Sequence, residues 1–399
     1  MSIYEKYGLE PIINASGSVT RLGGAPLPRA VLEAYAEAAR DAVPLEQLQA
    51  AASKRIARLA GTEAALVTCG SAAALTLGAA AMLTGHDLGK MEQLPHSDGF
   101  PHELVIAREQ RSGYDHALRA SGARLVEVGF NEIAAGAGVR RTEAWEYAAA
   151  FAPGTAGVVY VYGPASEPPL AEVVEQAHGA GLPVLVDAAG ELPPRRNLAG
   201  IAATGADLVA FSGGKGIRGP QATGILCGRR ELVGSAAVQM LDMDDHLALW
   251  DPPSELIDKQ KLGGIPRHGI GRALKVSKEE VVALLTALEL FVSGAYDEEL
   301  TAFRGWLDEI AGQLRSVPVR CEVVEPGEGQ SPPLLTITLD EAALGRTAFE
   351  VCRSLRGGSP PVYVGHGSLA DGKLMVNPIC LNEPRVAALG RRLREELGG

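Results

Sequence analysis

From Ala64 to Cys227, seven short apolar runs (ALVT, ELVIA, RLVEV, GVVYVY, PVLVD, DLVAF and ATGILC) recur, separated mostly by helical stretches. Runs of this length, rich in β-branched residues, read as buried strands, and their alternation with helices predicts a largely parallel, doubly wound sheet. The last two runs are joined by a segment too short for a crossover helix, so one of them is expected to run antiparallel. Before this block, residues 1–27 carry turn signals at Asn14, Gly17, Gly23, Gly24 and Pro26 and read as an irregular arm. Pro28 opens a predicted helix through Ala42. Leu45, Leu48, Ala52, Ile56 and Leu59 then keep helical spacing up to a stop at Gly61. Beyond Ala273, two helical stretches, strands VRCEVV and LLTITLD, a helix ending LRGG, strands PVYVG and KLMVN and a final amphipathic helix predict a smaller α/β domain. The expected division is an arm over 1–27, a large domain over 28–272 and a small C-terminal domain over 273–399.

Composition narrows the function classes. A chain of 399 residues with 46% hydrophobic and 21% charged residues can bury a large core in about two domains. The net charge of −11 argues against a protein whose task is gripping nucleic acid or anionic lipid. Five scattered cysteines with no C-x-x-C favour neither a disulfide framework nor a thiolate zinc site, and a reducing cytoplasm is expected. The N-terminal stretch lacks the basic start and apolar core of a signal peptide. The Ala-rich helix near residue 77 is apolar over too short a distance for a membrane span and reads as a core helix. Between Gly85 and His102, His86, His96 and His102 show no helical pairing, so no metal is expected there. That segment reads instead as a loop over the site. Residues 240–272 form a second irregular stretch.

The candidate chemistry centres on FSGGKGIRGPQATGIL. Lys215 lies among Gly213, Gly214, Gly216 and Gly219, where little side-chain bulk screens its amine. An amine held partly out of water has its charged form disfavoured and can act as a nucleophile. Asp187 follows the apolar run Val184 to Val186, at the carboxyl end of a predicted central strand, where open α/β sheets bind ligands. Further back, ALVTCGSAAAL reads as strand, tight turn at Gly70 and Ser71, and helix. Such a turn aims free N–H groups and a helix dipole at an anion. Phosphate cradle, strand-end acid and lysine, in that order, suit pyridoxal phosphate. Gly214, Gly216 and Gly219 also fit the dinucleotide fingerprint, but Pro220 and a strand follow where a helix is required. Gly216 stands where a Walker loop needs Ser or Thr.

The motifs INASGSVTRLGGAPLPRAVLEA, LAGTEAALVTCGSAAAL, RSGYDHALRASGARLVEVG, PVLVDAAGE, FSGGKGIRGPQATGIL, GRALKVSKEE and LRGGSPPVYV together resemble the selenocysteine-synthase-related branch of fold type I pyridoxal phosphate enzymes. Within it the chain is most similar to the D-glucosaminate-6-phosphate ammonia-lyases. The resemblance runs from about Gly8 to the C-terminus. It implies a mostly parallel seven-stranded sheet with a smaller C-terminal α/β domain, and makes Lys215 the cofactor-bound lysine and Asp187 the partner of the pyridine nitrogen. It also implies Gly70, Ser71 and Ser212 around the phosphate, and Ala189 on one ring face with His116 as candidate for the other. Gln110 stands where relatives tend to have a histidine. Among the loop arginines Arg21, Arg218, Arg267, Arg272 and Arg356, Arg272 and Arg267 are the chosen substrate-binding candidates, because the corresponding family loop reaches a neighbouring subunit.

The implied activity is α,β-elimination with deamination of an amino sugar acid, its phosphate, or a β-hydroxy amino acid, giving a 2-oxo acid and ammonia. The implied assembly is a homodimer or larger homo-oligomer. Racemases, aminotransferases and aldolases share the α-proton step and remain open. A tRNA-linked selenium transferase fits less well, since no tRNA-binding domain is expected ahead of INASG. A non-catalytic binding scaffold is opposed by the retention of Lys215, Asp187 and the Gly70 turn.

Overall fold

The computed structural model describes residues 2–130, 140–325 and 331–398. The chain divides into two compact units, one over residues 27–292 and the other combining 1–26 with 293–399. The first strand, β1 (Ile13–Ala15), belongs to the second unit. All seven apolar runs of the larger unit form strands: β2 (Ala64–Thr68), β3 (Glu103–Ala107), β4 (Arg124–Val128), β5 (Thr155–Val161), β6 (Val184–Asp187), β7 (Leu208–Ser212) and β8 (Gly224–Gly228). They make one sheet in the order β2-β8-β7-β6-β5-β3-β4. β8 runs antiparallel to β2 and β7, and the remaining pairings are parallel. The short β7–β8 connection explains this, since it leaves room to turn back but not to cross over.

Two details position the site. β2 is an edge strand, whose outward backbone groups need partners. The helix Leu45–Ala60 supplies them with polar side chains: Gln49 donates to Val67 O (2.9 Å) and accepts from its N–H (3.0 Å), and Ser53 accepts the Ala65 N–H (2.9 Å). Buried Gln49 and Ser53 therefore share the inward stripe with Ala52 and Ile56, while Leu45 is exposed, unlike the stripe expected from periodicity. After β2 the helix Gly70–Thr84 is buried along most of its length. Fifteen residues carry the chain about 22 Å away at 1.5 Å per residue. The segment from Gly85 thus starts at the far end of the sheet. His86 shares a cavity there with Glu63, Arg230 and Lys261, and the expected loop over the site is not formed by these residues.

The second unit carries an antiparallel sheet of β9 (Val319–Val324), β10 (Leu334–Leu339) and β12 (Lys373–Val376) in the order β12-β10-β9. A further strand, β11 (Val362–Val364), pairs in parallel with β1. Ile13 and Ala15 of the arm share one apolar core with Leu335, Ile337, Val351, Leu355 and Leu389. The arm is therefore part of this unit, not a separate segment. The boundary expected at 272 also falls elsewhere: the helix Lys278–Ser293 begins within the larger unit, with Leu284 and Ala287 packed against Gly213 and Gly219. Helix content alone marked no boundary, because an amphipathic helix does not show which core its apolar face covers. Among the described residues, no helix is long and apolar enough to cross a membrane.

Candidate active site

At the end of β7 the chain turns through residues 213–223 and returns as β8. The Gly213 N–H donates to Thr223 O and the Gly219 N–H to Gly213 O, both at 2.8 Å, and the Arg218 N–H donates to Lys215 O at 3.0 Å. Arg218 has a φ of 61°, a left-handed value that a residue with a side chain seldom adopts, so the turn holds local strain of the kind found at functional sites. The flanking glycines are required by close approach. A β-carbon at Gly214 would lie 2.5 Å from the Gln221 Cα, and one at Gly216 would strike the Leu192 carbonyl. Lys215 is half-buried and its amine makes no hydrogen bond or ion pair among the described residues. Its Nζ lies 3.7 Å from the place a β-carbon on Gly190 would take.

Gly190 follows β6, at whose carboxyl end Asp187 stands. The half-buried Asp187 carboxylate accepts the Ala189 N–H on Oδ1 at 3.0 Å. Burial pushes this carboxyl above its usual range, while the Ala189 N–H and the Lys215 charge act in the opposite direction. The third part of the site comes from β2. In register, Gly224 of β8 lies between Thr68 of β2 and Ser212 of β7. A β-carbon on Gly224 would stand 2.6 Å from both Gly70 O and Ser71 N. The turn that starts the helix and the end of β7 thus meet across a position that has no side chain. Gly70 has a φ of 81°, and the space its missing side chain leaves holds nothing within 4 Å. The Ser71 and Ser212 hydroxyls have no hydrogen bond among the described residues.

These features fit pyridoxal phosphate. The first N–H groups of the helix Gly70–Thr84, with the Ser71 and Ser212 hydroxyls, would hold the phosphate. Asp187, half-buried and without an ion-pair partner among the described residues, would accept the pyridine N–H, and Lys215 would bind the aldehyde. Ala189, two residues beyond the acid, helps to fix it through its N–H.

The other candidates are placed less centrally. His116 is exposed, and its Nδ1 lies 3.1 Å from the Arg119 guanidinium. Gln110 is buried at the end of β5, where its amide accepts the Val161 N–H (2.9 Å) and donates to Glu167 O (3.3 Å). Arg272 forms an ion pair with Asp242 at 2.7 Å and lines a cavity of about 460 Å3 with Gln49, Lys275 and Glu280. That cavity lies on the Gln49 side of β2, whose next residues are Cys69 and Gly70. Arg267 points elsewhere: its side chain is 91% exposed and pairs with Glu92 at 3.3 Å, in the segment beyond the helix. In the second unit, the Arg21 and Arg356 guanidinium groups pack over the Tyr363 ring, 5.5 and 5.3 Å from its centre. One group near Lys215 escapes a motif-based reading. Glu191, four residues beyond Asp187, is held within the field of both Lys215 and Asp187. The acid in DAAGE was visible in the sequence, but its spacing from Asp187 identified no function.

The family profile of L-seryl-tRNA selenium transferase matches residues 12–243. The chain is 30% identical to the 5'-C-glycyluridine monooxygenase-decarboxylase of a Streptomyces species, over 99% of this chain and 92% of that protein. It is 28% identical to the D-glucosaminate-6-phosphate ammonia lyase of Salmonella typhimurium, over 99% and 97% of the two chains. A solved structure of D-glucosaminate-6-phosphate ammonia-lyase superposes with a TM-score of 0.82 at 26% identity, covering 100% of this chain and 98% of that one. An Escherichia coli cysteine desulfurase, at 16% identity and a TM-score of 0.55, shares the fold. The protein has the fold of the fold type I pyridoxal phosphate enzymes, and its chain belongs to the L-seryl-tRNA selenium transferase family.

Proposed function

We propose that the enzyme eliminates a β-hydroxyl from an amino sugar acid, with D-glucosaminate 6-phosphate as the first substrate to test, releasing a 2-oxo acid and ammonia. The observation that carries this reading is the meeting of Lys215, Asp187 and the Gly70–Ser71 turn at the carboxyl ends of β6, β7 and β2, in a chain whose fold follows an ammonia-lyase over its whole length. Pyridoxal phosphate, when bound, supplies an electrophile for the substrate amine and a ring that takes up electrons from the α-carbon. The protein's part is proton management. Asp187 holds the proton at the ring nitrogen, and Lys215 Nζ takes the α-proton of the substrate. The strained turn packs against Leu284 through Gly213 and Gly219, which fixes the backbone that carries Lys215.

The test is to record the visible spectrum of the purified holoenzyme while adding D-glucosaminate 6-phosphate, then serine and other β-substituted amino acids. A change in the cofactor band accompanied by ammonia and 2-oxo acid supports the lyase. A band unmoved by every one of these compounds rejects the substrate class. The Lys215→Ala variant should lose turnover; a variant that kept it would remove Lys215 from the reaction.

A second reading is favoured by the Streptomyces relative, whose name describes oxygen-dependent decarboxylation of a glycyl nucleoside. Oxygen uptake and carbon dioxide release with 5'-C-glycyluridine, without ammonia release from the sugar acid, would select it. A reducing cytoplasm is the setting proposed for the reaction, a reading supported by five scattered cysteines with no C-x-x-C in the sequence. Exposed Ile3, Tyr4, Tyr7 and Leu9 support burial of the arm against a second copy in a homodimer or larger homo-oligomer. Sedimentation of a monomer at micromolar concentration would remove that assembly.

A further inference from the structure

Glu191 occupies a stretch of chain fixed to the lysine turn on both sides. Just before it, the place a β-carbon on Gly190 would take lies 3.7 Å from Lys215 Nζ. Just after it, Leu192 and Pro193 close on Gly216, where a β-carbon would stand 2.6 Å from the Pro193 Cδ. The backbone between is pinned: the Glu191 N–H donates to Ala188 O at 3.1 Å, and the Asn197 amide donates to Glu191 O at 2.8 Å. The side chain is half-buried and its carboxylate has no hydrogen bond or ion pair among the described residues. The charged groups that act on it are Lys215 and Asp187. Burial raises this carboxyl above its usual range, Lys215 draws it down, and the Asp187 charge raises it further. The carboxyl and the amine thus act on each other without forming a direct ion pair, on a stretch of chain held against the lysine turn.

We propose that Glu191 exchanges a proton with Lys215 and delivers it to the leaving hydroxyl of the substrate. The inference rests on the elimination proposed above. When the Cα–H bond breaks, the proton goes to Lys215 Nζ. Glu191, as the acid, protonates the departing hydroxyl, the C–O bond breaks and water leaves. The electron pair of the C–H bond becomes the new Cα–Cβ bond, and the pair of the C–O bond leaves with oxygen. Lys215 then returns its proton to the Glu191 carboxylate, so the protein ends with the protons it began with. Burial raises the Glu191 carboxyl, which makes it a better proton donor than an unperturbed carboxyl. Asp187 is unsuited to it, since its carboxylate must stay on the pyridine nitrogen.

The first experiment needs no substrate. The visible band of the holoenzyme is titrated with pH for wild type, Glu191→Gln and Glu191→Asp. Once the titration passes the midpoint of Glu191 itself, the Glu191 carboxylate stabilises the protonated form of the lysine-bound cofactor, so the Glu191→Gln midpoint should fall by about half a pH unit or more. Glu191→Asp should lie between the two. Superimposable curves for wild type and Glu191→Gln would overturn the exchange. Loss of the cofactor from both variants would make Glu191 a structural support and would also overturn it.

The second experiment compares leaving groups. With the β-hydroxy substrate, Glu191→Gln should lose about 100-fold in kcat with KM within about threefold. With the β-chloro analogue, whose leaving group needs no proton, it should approach the wild-type rate. An equal loss with both leaving groups would overturn delivery of the proton by Glu191. If wild type released no ammonia from either compound, the elimination itself would fail, while the pH titration would still decide whether Glu191 and Lys215 are coupled.

Discussion

Asp187 shows how one residue trades stability for chemistry. Its carboxyl is raised by burial in the folded chain, with Ala189 and Lys215 only partly offsetting that effect. A carboxyl raised on folding binds more protons in the native state, so its contribution favours folding at low pH and is lost as pH rises through the folded value. The cofactor-free Asp187→Asn variant should therefore match wild type at low pH and exceed it above that window, while its turnover falls by about 100-fold or more. Urea denaturation at pH 4 and pH 7.5, beside a kcat measurement, checks both signs. A variant less stable than wild type at pH 7.5 would mean that the Ala189 hydrogen bond outweighs burial. The lysine, the acid and the turn proposed for the cofactor stand out as candidates in the sequence, because each has a strong local context of glycines or strand end. Glu191 does not, because its relevance depends on a loop folding back onto Gly216.

At the scale of elements, the site is assembled by register. Gly224 lets β2 and β7 bring the Gly70–Ser71 turn and Ser212 together, since any β-carbon there would meet the turn backbone. Gly224→Ala should lower cofactor affinity by about tenfold or more and cost about 2 kcal/mol in stability, as overpacking against rigid backbone does. Cofactor titration and denaturation check the pair, and an unchanged affinity would show that the turn moves freely. The opposite end of the sheet gives a contrasting case. Buried Asp207 accepts the Val184 N–H at 2.8 Å and holds His178 and Arg229 at 2.9 and 3.0 Å, tying together the starts of β6 and β7 and the end of β8. Asp207→Ala strands these donors and should cost about 3 kcal/mol. The kcat of the folded fraction should hardly change, because the reacting groups lie at the other end of the strands. A loss below about 1 kcal/mol in urea would contradict this account.

At the scale of the whole molecule, the prediction concerns which parts share a core. Hydrogen exchange should group the amides of Lys278–Ser293 with the seven-stranded unit, and those of Ile13–Ala15 with the three-stranded one. Exchange of Lys278–Ser293 together with β9 and β10 would restore the boundary expected at residue 272. Both departures from the sequence reading have one cause. Periodicity reports that a segment has an apolar side, and it is silent on the partner.

The sequence by itself determined the seven strands, their largely parallel order, an antiparallel strand in the last pair, and the candidate lysine, acid and turn proposed to hold the cofactor. Each of these is encoded within a few neighbouring residues by strand pattern, glycine placement or loop length. Only the tertiary structure decided the rest. It sent the His86 segment to the far end of the sheet, tied Arg267 to Glu92, joined the arm to the C-terminal core, and folded the chain around Glu191 against the lysine turn. Those outcomes depend on contacts between residues distant in sequence, whose geometry is fixed only when the core packs and every buried backbone group finds a partner.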